Sequence, residues 1–316
     1  MTLSLHRRDP VAEDAPLPGM IGEHPLMKEV HRLVRRVAPT DLPVLIVGDT
    51  GTGKELVARA IHQLSDRLPG LFVAVNAAAI PESLFESELF GHERGAFSDA
   101  RAEKPGLLEV AHRGTFFCDE LPALSATSQA KLLRVIEEGC ARRVGGLRDR
   151  PAAPRWIAAC QSERGVREDL RHRVAGLVVH TPPLRERVSD IPALASHFLS
   201  LHDHGALRFS PEATAFLASC RWPGNVRQLR HGIARTAVLA ERALIEAADI
   251  GRALAADSPT SLTGRAEVEE ALRHEDWNVR NAARRLGVSR ATLHRWIGDL
   301  GLRRPRRVSQ MSRDMS

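Results

Sequence analysis

The sequence predicts an α/β unit, then an all-helical unit, then a short helix-turn-helix. Three observations support this order. Apolar runs that are typical of buried strands occur at 43–47, 71–75, 115–119, 155–160 and 176–181, with helical stretches between them. Near-continuous apolar strands that alternate with helices favour a parallel sheet covered on both faces. From about Asp190 to Leu254 only helical patterns continue, and three shorter ones lie near the C-terminus.

Length, composition and charge limit the class of protein. With 316 residues, 43% hydrophobic and 27% charged, the chain is expected to be globular and to contain more than one domain. We expect no membrane insertion and a cytoplasmic location, because no segment offers ~18 uninterrupted apolar residues and the N-terminus lacks a signal-peptide core. Residues 262–316 carry twelve Arg, no Lys and seven acids, which is +5 of the net +6. An acidic partner such as DNA is therefore expected.

The patterns also predict the domain boundaries. In the second unit, Pro211 follows Ser210 at a plausible helix start. Small and turn-forming residues at 255–265 are typical of a linker. The predicted parts are a short N-terminal tail (1–20), the α/β unit (21–182), the helical unit (183–254), the linker (255–265), a helix-turn-helix (266–303) and a disordered basic tail (304–316).

A glycine-rich segment between a strand and a helix predicts a phosphate site. Here Lys54 is expected to reach the outer phosphates while backbone N–H groups and the helix N-terminus face the anion. Glu55 stands where Ser or Thr normally meets magnesium. The cofactor-binding residues predicted in this segment are Gly48, Asp49, Thr50, Gly51, Thr52, Gly53, Lys54 and Glu55.

Two acids end a second apolar strand, in the segment "GTFFCDE". In a doubly wound sheet this strand end lies beside the phosphate loop. Asp119 is suited to hold Mg²⁺, directly or through water, and Glu120 to orient and polarise an attacking water. Together with the phosphate loop, these acids predict ATP hydrolysis.

Several motifs in one order carry a resemblance to a known family. The segments "GDTGTGKE", "GHERGAFSDA", "GTFFCDE", "PPLRERVSDI" and "WPGNVRQL" make the chain similar to the sigma-54-dependent transcription activators, or bacterial enhancer-binding proteins, over about Ile21 to Leu254. The resemblance implies an α/β P-loop ATPase of the AAA+ class, a helical lid at 183–254 and a Fis-type helix-turn-helix. It also accounts for Glu55, which family members usually carry.

The resemblance implies roles for four further residues. Asn76 matches the asparagine that senses nucleotide and holds the catalytic glutamate, here Glu120. Arg167 and Arg173 match the two arginines that reach across a subunit boundary, and Arg227 matches the sensor arginine of the lid. Guanidinium groups stabilise the charge that develops during phosphoryl transfer, so arginines supplied by a neighbour make hydrolysis depend on assembly into a homo-oligomer, from dimer to hexameric ring.

One strand end departs from the family pattern. The family often has Asn in a segment like ATN, whereas this chain reads "AACQ" with Gln161. The glutamine keeps the amide but places it about one methylene further from the backbone, so we expect weaker coupling between hydrolysis and movement.

The loop "GAFSDA" corresponds to the family's GAFTGA loop, which contacts sigma-54. An exposed aromatic in a glycine-containing loop can anchor in a partner's groove, so Phe97 is expected to meet the sigma factor. The alternative is that Phe97 folds back as a local core residue. Asp99 replaces a glycine and adds a charge, which leaves open a changed or different polymerase target. The predicted sigma-factor contacts are Gly95, Ala96, Phe97, Ser98, Asp99 and Ala100.

The C-terminal pattern has helix-turn-helix spacing. Asn278 can cap a helix whose Val279, Ala282, Ala283 and Leu286 share an apolar face, Gly287 supplies the turn, and Ser289 can cap a second helix with Leu293, Trp296, Ile297 and Leu300 inward. The outward face of the second helix carries the predicted DNA-binding residues Arg290, Thr292, His294 and Arg295.

These observations predict an ATP-hydrolysing activator that binds upstream enhancer DNA and remodels sigma-54 RNA polymerase. The sequence leaves two alternatives open: a DNA-binding AAA+ regulator that acts without sigma-54, and a general unfoldase or helicase. About twenty residues precede the ATPase unit, as in the phage-shock and Hrp-type activators, so we expect control by abundance, assembly or a separate regulatory protein.

Overall fold

The computed structural model describes residues 16–97, 100–203, 206–255, 265–275, 277–286, 290–299, 301 and 302. The five predicted strands are confirmed, and the α/β unit also contains two hairpins that were not predicted. The elements in chain order are α1 (Pro25–Val37), β1 (Val44–Val47), α2 (Lys54–Gln63), β2 (Phe72–Asn76), α3 (Glu82–Phe90), β3 (Gly91–His92), β4 (Lys104–Pro105), α4 (Leu107–Val110), β5 (Thr115–Asp119), α5 (Ala126–Glu138), β6 (Cys140–Arg142), β7 (Asp149–Pro151), β8 (Arg155–Cys160), α6 (Glu168–Val174) and β9 (Leu177–His180).

Five strands form the central sheet in the order β2-β5-β8-β1-β9, and all four neighbouring pairs are parallel. Alternate side chains enter two separate cores, as the pleat of a strand requires. Phe116 and Leu45 pack with α3, α4, α5 and α6 on one face, while Phe117 and Ile46 pack with α1 and α2 on the other. The predicted parallel sheet with helices on both faces is therefore confirmed.

The core extends further toward the N-terminus than the sequence indicated. Leu17 and Met20, which fall within the predicted tail, are buried and pack against the α1 and α2 face of the sheet. The boundary of the α/β unit consequently lies before residue 21. Leu17 and Met20 lie outside any helix or strand, so no periodic pattern in the sequence marks them as core residues.

The second unit is a helical domain, as predicted, with one small addition. It contains α7 (Ile191–Asp203), β10 (Arg208–Phe209), α8 (Pro211–Ser219), α9 (Asn225–Leu239), β11 (Leu244–Ile245) and α10 (Ala247–Ala255). The strands β10 and β11 form a two-stranded parallel ladder that the helical patterns did not indicate. Ser210 caps α8 by accepting a hydrogen bond from the Ala213 backbone N–H, and Pro211 is the first helical residue, as expected.

The C-terminal helices are α11 (Arg265–His274), α12 (Val279–Arg285) and α13 (Arg290–Asp299). Most of the predicted linker and all of the predicted basic tail lie outside the described residues. Within the described residues, no helix is both long enough and apolar enough to cross a lipid bilayer.

Candidate functional site

The phosphate loop connects β1 to α2 in a conformation that requires glycine. Gly51 and Gly53 have φ angles of 78° and 102°, in the left-handed region that side chains disfavour. A Cβ at Gly48 would lie 2.0 Å from the Thr181 hydroxyl oxygen. The sequence therefore places glycine where the backbone must turn and where Thr181, the residue after β9, approaches closely.

Lys54 is a buried cation at the first turn of α2. Its side chain is 7% exposed, and its Nζ donates hydrogen bonds to the carbonyl oxygens of Gly48 at 2.8 Å and Asp49 at 3.4 Å. Carbonyl oxygens satisfy the donors but do not neutralise the charge, and a buried charge is costly without an opposite one. This ammonium at a helix N-terminus fits a phosphate group.

Residues that follow β9 contact the phosphate loop and hold it in place. The Thr52 hydroxyl lies 2.8 Å from the Thr181 hydroxyl, and Arg187 donates to the Thr52 carbonyl oxygen at 3.2 Å. Burial lowers the pKa of Arg187 from its usual value. Exposed Arg185 pairs with the Asp49 carboxylate at 2.8 Å. The loop is thus held on both sides by the segment that leads to the helical unit.

Asn225 fixes the helical unit on the phosphate loop. Its Nδ2 donates to the Thr50 carbonyl oxygen at 2.9 Å, and its Oδ1 accepts from the Leu184 backbone N–H at 2.8 Å. The residue is buried and has a φ of 50°, a conformation that Asn tolerates better than most residues. A Cβ on Gly51 would lie 2.3 Å from the Gly224 carbonyl oxygen, so the two backbones touch here.

The acidic strand end lies beside this loop. Asn76 and Asp119 are partners in the β2–β5 ladder, and the Asp119 carboxylate accepts a hydrogen bond from the Glu120 backbone N–H at 3.0 Å. Asn76 accepts a hydrogen bond from the Ala78 backbone N–H at 2.9 Å. Glu120 has φ 54° and ψ 48°, a left-handed conformation that is sparsely populated by non-glycine residues and recurs at functional sites.

A cleft of about 430 Å³ unites most of the residues predicted for nucleotide chemistry. It also has an apolar wall, from Leu56, Phe198 and Val226, which the sequence analysis missed because these residues come from three separate elements. The lining residues from the prediction are Thr50, Gly51, Gly53, Lys54, Glu55, Asn76, Asp119, Glu120 and Arg227; Arg59, Arg230 and His231 also line it. A pocket that combines cationic, acidic and apolar lining residues fits a nucleotide with its metal ion.

Two polar residues near the phosphate loop have defined partners. Glu55 accepts hydrogen bonds from Arg59 at 2.6 and 2.9 Å. Gln161 donates a side-chain hydrogen bond to the Thr50 hydroxyl oxygen. The longer glutamine side chain therefore reaches the phosphate loop directly, a contact that sequence spacing could not show.

The Asp119 carboxylate suits Mg²⁺, which commonly takes one or two protein carboxylates and completes its shell with phosphate oxygens and waters. Among the described residues no group of three or more His, Cys, Asp or Glu side chains is placed to hold a metal ion alone. The donor set near the cleft therefore fits a metal that arrives with a phosphate ligand rather than a closed protein site.

Arg167 and Arg173 lie outside this cleft, at the start and near the end of α6. Arg167 makes two hydrogen bonds to Asp169, at 2.7 and 3.1 Å, and Arg173 pairs with Glu137 of α5 at 3.0 Å. The hydrogen bonds from Arg167 lower the pKa of Asp169 to about 2. Both arginines are exposed, so neither guanidinium is committed to the interior of its own chain.

The loop between β3 and β4 presents Phe97 at the surface. Phe97 is 43% exposed, and its ring contacts His92 edge-on with the ring centroids 4.9 Å apart. Gly95 has a φ of 81°, and Ala100 is buried at the base of the loop. Ser98 and Asp99 lie outside the described residues. Phe97 is thus not a core residue. Its side chain is partly exposed, and its ring packs against His92.

A second hairpin, β6–β7, packs beside this loop through a cluster that the sequence analysis did not find. The Glu93 N–H donates to the Val144 carbonyl oxygen at 3.0 Å. Buried Arg143 binds Glu109 at 2.8 and 3.0 Å and Glu103 at 3.0 Å, and the hydrogen bonds with Glu109 raise the pKa of Arg143. The two loops are therefore tied together at their bases, and the only sequence signal was a Val-Gly-Gly turn.

The C-terminal unit has the expected helix-turn-helix core. Asn278 caps α12 by accepting hydrogen bonds from the backbone N–H groups of Arg280 and Asn281 at 3.1 and 3.3 Å. Arg290 and His294 are exposed on α13. The predicted residues Gly287, Ser289 and Leu300, and the side chains of Thr292 and Arg295, lie outside the described part. The apolar residues predicted to face inward and described in the core are Val279, Ala282, Ala283, Leu286, Leu293, Trp296 and Ile297.

Comparisons with known families agree with this architecture. Residues 20–180 match the sigma-54 interaction domain, residues 185–267 the AAA+ ATPase lid domain, and residues 265–297 the Fis family of bacterial regulatory proteins. These matches cover the α/β unit, the helical unit and the helix-turn-helix in turn. The class is therefore a AAA+ protein with a C-terminal Fis-type helix-turn-helix.

Individual relatives narrow the class further. The chain is 42% identical to the Nif-specific regulatory protein of Klebsiella pneumoniae over 86% of this chain and 57% of that protein. It is 39% identical to the DNA-binding transcriptional regulator NtrC of Salmonella typhimurium, over 92% of this chain and 71% of NtrC. The solved structure of NtrX from Brucella abortus in complex with ATP aligns with a TM-score of 0.67 and 32% identity, covering 92% of this chain and 70% of NtrX.

The chain belongs to the sigma-54 interaction domain family. It spans little more than half the length, 57%, of the Nif-specific relative.

Proposed function

We propose that this chain is a DNA-binding transcriptional activator that hydrolyses ATP to convert closed complexes of sigma-54 RNA polymerase into open ones. The observation that carries the proposal is the single cleft where the phosphate loop, Asn76, Asp119, Glu120 and Arg227 meet. Exposed Phe97 and the helix-turn-helix belong to the same chain. A general unfoldase would explain the cleft but neither of the other two features.

Within the cleft, each proposed residue has a chemical task. Lys54 and the N-terminus of α2 bind the phosphates, and Arg227 brings the helical lid against them. Asp119 would hold Mg²⁺, which would neutralise charge on the phosphate oxygens. Glu120 accepts a hydrogen bond from the attacking water and orients it, and Asn76 positions that glutamate.

Arg167 and Arg173 complete the reaction only from a neighbouring chain. They lie on α6, outside the cleft of their own chain, and they are exposed. In a homo-oligomeric ring, a head-to-tail interface presents the same face of each chain to the next chain's opposite face. A guanidinium delivered in this way stabilises the transition state, so hydrolysis requires assembly.

The ring would act on the polymerase through Phe97 and on DNA through α13. Phe97 supplies an exposed aromatic contact for the sigma factor. Exposed Arg290 and His294, with Thr292 and Arg295, are the proposed contacts to upstream enhancer DNA. Because these partners are the transcription machinery of a bacterium, the cytoplasm is the proposed location.

A regulator that acts without sigma-54 is the second candidate function. The sequence observation that favours it is Asp99, which places a carboxylate next to the proposed contact residue where the family pattern has glycine. The added charge would oppose a contact with an acidic or apolar surface.

Open-complex formation on a sigma-54 promoter, with purified components and ATP, tests both candidates. We expect the natural chain to open the promoter and Phe97→Ala to hydrolyse ATP without opening it. If the natural chain hydrolyses ATP but opens nothing, while Asp99→Gly opens the promoter, the sigma-54 function is contradicted for the natural chain and the second candidate gains support.

A further inference from the structure

His231 occupies a position in the cleft that none of the residue roles assigned above explains. It lies on α9, whose first residue, Asn225, contacts the phosphate loop. It lines the cleft together with Arg227 and Arg230. All three side chains are exposed in the structure, so each is open to a ligand. The question is which part of a bound nucleotide each one can reach.

The start of α9 is fixed relative to the phosphate loop. The Arg227 backbone N–H donates to the Gly51 carbonyl oxygen at 3.3 Å, and Asn225 holds the Thr50 carbonyl oxygen at 2.9 Å. Positions 227 and 231 are four residues apart and therefore share one face of the helix. At a rise of about 1.5 Å per residue, His231 lies about 6 Å further along the helix axis than Arg227.

The cleft has both polar and apolar lining residues. At the phosphate loop it is lined by backbone N–H groups, Lys54 and the acids of β5. Leu56, Phe198 and Val226 form its apolar part. Leu56 is 43% exposed although it is a large apolar residue, so a ligand that covers it removes apolar surface from water. A base and ribose meet that requirement, and a phosphate does not.

An imidazole suits the nucleoside end of the ligand. Its ring can lie against a base, and its two nitrogens offer one donor and one acceptor, which matches the hydroxyl groups of a ribose. We propose that His231 contacts the ribose and base of the bound nucleotide. This assignment rests on the proposed ATPase function and adds a nucleoside-binding residue to it.

The assignment separates His231 from Arg227 by their effects on two nucleotides. A residue at the nucleoside end loses the same contact whether ADP or ATP is bound. A residue at the outer phosphates loses more with ATP. Removing His231 should thus weaken both ligands by one common factor, whereas removing Arg227 should weaken the triphosphate more than the diphosphate.

Isothermal titration of the full chain with ADP and with a non-hydrolysable ATP analogue tests this. We expect His231→Ala to raise Kd about 3- to 10-fold for both ligands, the effect of losing one ordinary hydrogen bond. His231→Gln, which keeps a donor and an acceptor, should recover part of the affinity. His202→Ala is the matched control, because His202 is an exposed histidine on α7 that does not line this cleft.

Three outcomes would overturn the assignment. One is an ADP affinity of His231→Ala equal to that of the natural chain. Another is a loss confined to the triphosphate, which would place His231 at the phosphates. A natural chain that binds neither ligand would contradict the proposed ATPase function as well, so this failure is distinguishable from the first two.

Discussion

The nucleotide cleft and the exposed face of α6 are organised in opposite ways. In the cleft, the ends of β2 and β5, the phosphate loop and two helices of the lid converge within one chain, and buried contacts such as those of Asn225 hold them together. At α6, the guanidinium groups of Arg167 and Arg173 pair with carboxylates on the surface of the same chain. The residues of the cleft are therefore held together within one chain, whereas the two arginines proposed to complete the reaction lie at its surface.

Loss of Arg173 is expected to reduce hydrolysis strongly. Arg173→Ala should lower the ATPase rate by about 10³-fold or more, because the transition-state charge loses its guanidinium. ADP affinity should be unchanged, since the residue lies outside the cleft of its own chain. Steady-state ATPase assays with Arg134→Ala as control test this, because Arg134 is another exposed arginine that pairs with Glu138 on α5. An ATPase rate equal to that of the natural chain would exclude the role.

A Glu120 variant separates hydrolysis from nucleotide binding within the cleft. Glu120→Gln keeps size and polarity but removes the carboxylate that orients the water, so we expect hydrolysis to fall about 10²- to 10⁴-fold. Nucleotide affinity should remain near that of the natural chain. Binding and ATPase measurements on the same preparation separate the two effects, with Glu212→Gln on the exposed face of α8 as control. Loss of binding together with hydrolysis would contradict a purely catalytic role.

Asn225 tests whether the cleft depends on buried contacts. Asn225→Gly removes two side-chain hydrogen bonds and should lower the free energy of unfolding by about 2 kcal/mol. Asn225→Ala should cost about 1 kcal/mol more, because its φ of 50° is unfavourable for alanine. Urea denaturation of both variants measures the difference. Identical stability for the two variants would show that the backbone conformation relaxes without cost.

A smaller change is predicted for the pKa of Asp169, in the first turn of α6. Its pKa is lowered from 3.8 to about 2, so the carboxylate stays ionised above pH 3.8 and loses its charge only as the pH falls toward 2. The pair with Arg167 therefore persists at pH 4. Carboxyl NMR titration should show this low pKa in the natural chain and a higher one in Arg167→Ala, still below the ordinary value because the Leu170 backbone N–H also donates to this carboxylate. An ordinary pKa in both would mean that Arg167 is already free.

Local patterns were sufficient to predict the sheet and the residues at its strand ends. Residues 116–118 of β5 and 156–160 of β8 form continuous apolar runs because both faces of these strands are covered, and Asp119 follows directly from its position at the end of β5. The glycines of the phosphate loop were equally readable, since their backbone angles exclude other residues.

Contacts between distant segments could not be predicted. Asn225 reaches Thr50 across 175 positions, and Arg143 binds Glu109 across 34. Nothing in the local pattern marks either side chain, because both look like ordinary polar surface residues until the fold buries them. The apolar wall of the cleft was missed for the same reason, since Leu56 and Phe198 are unremarkable within their own helices.

The proposed division of the catalytic site between chains has one direct test. Lys54→Ala removes phosphate binding but keeps Arg167 and Arg173, whereas Arg173→Ala keeps an intact cleft. Each variant alone should be inactive, and an equimolar mixture assembled with ATP should regain activity at roughly a quarter of its sites, by random pairing in a head-to-tail ring. A mixture no more active than its separate components would contradict the account.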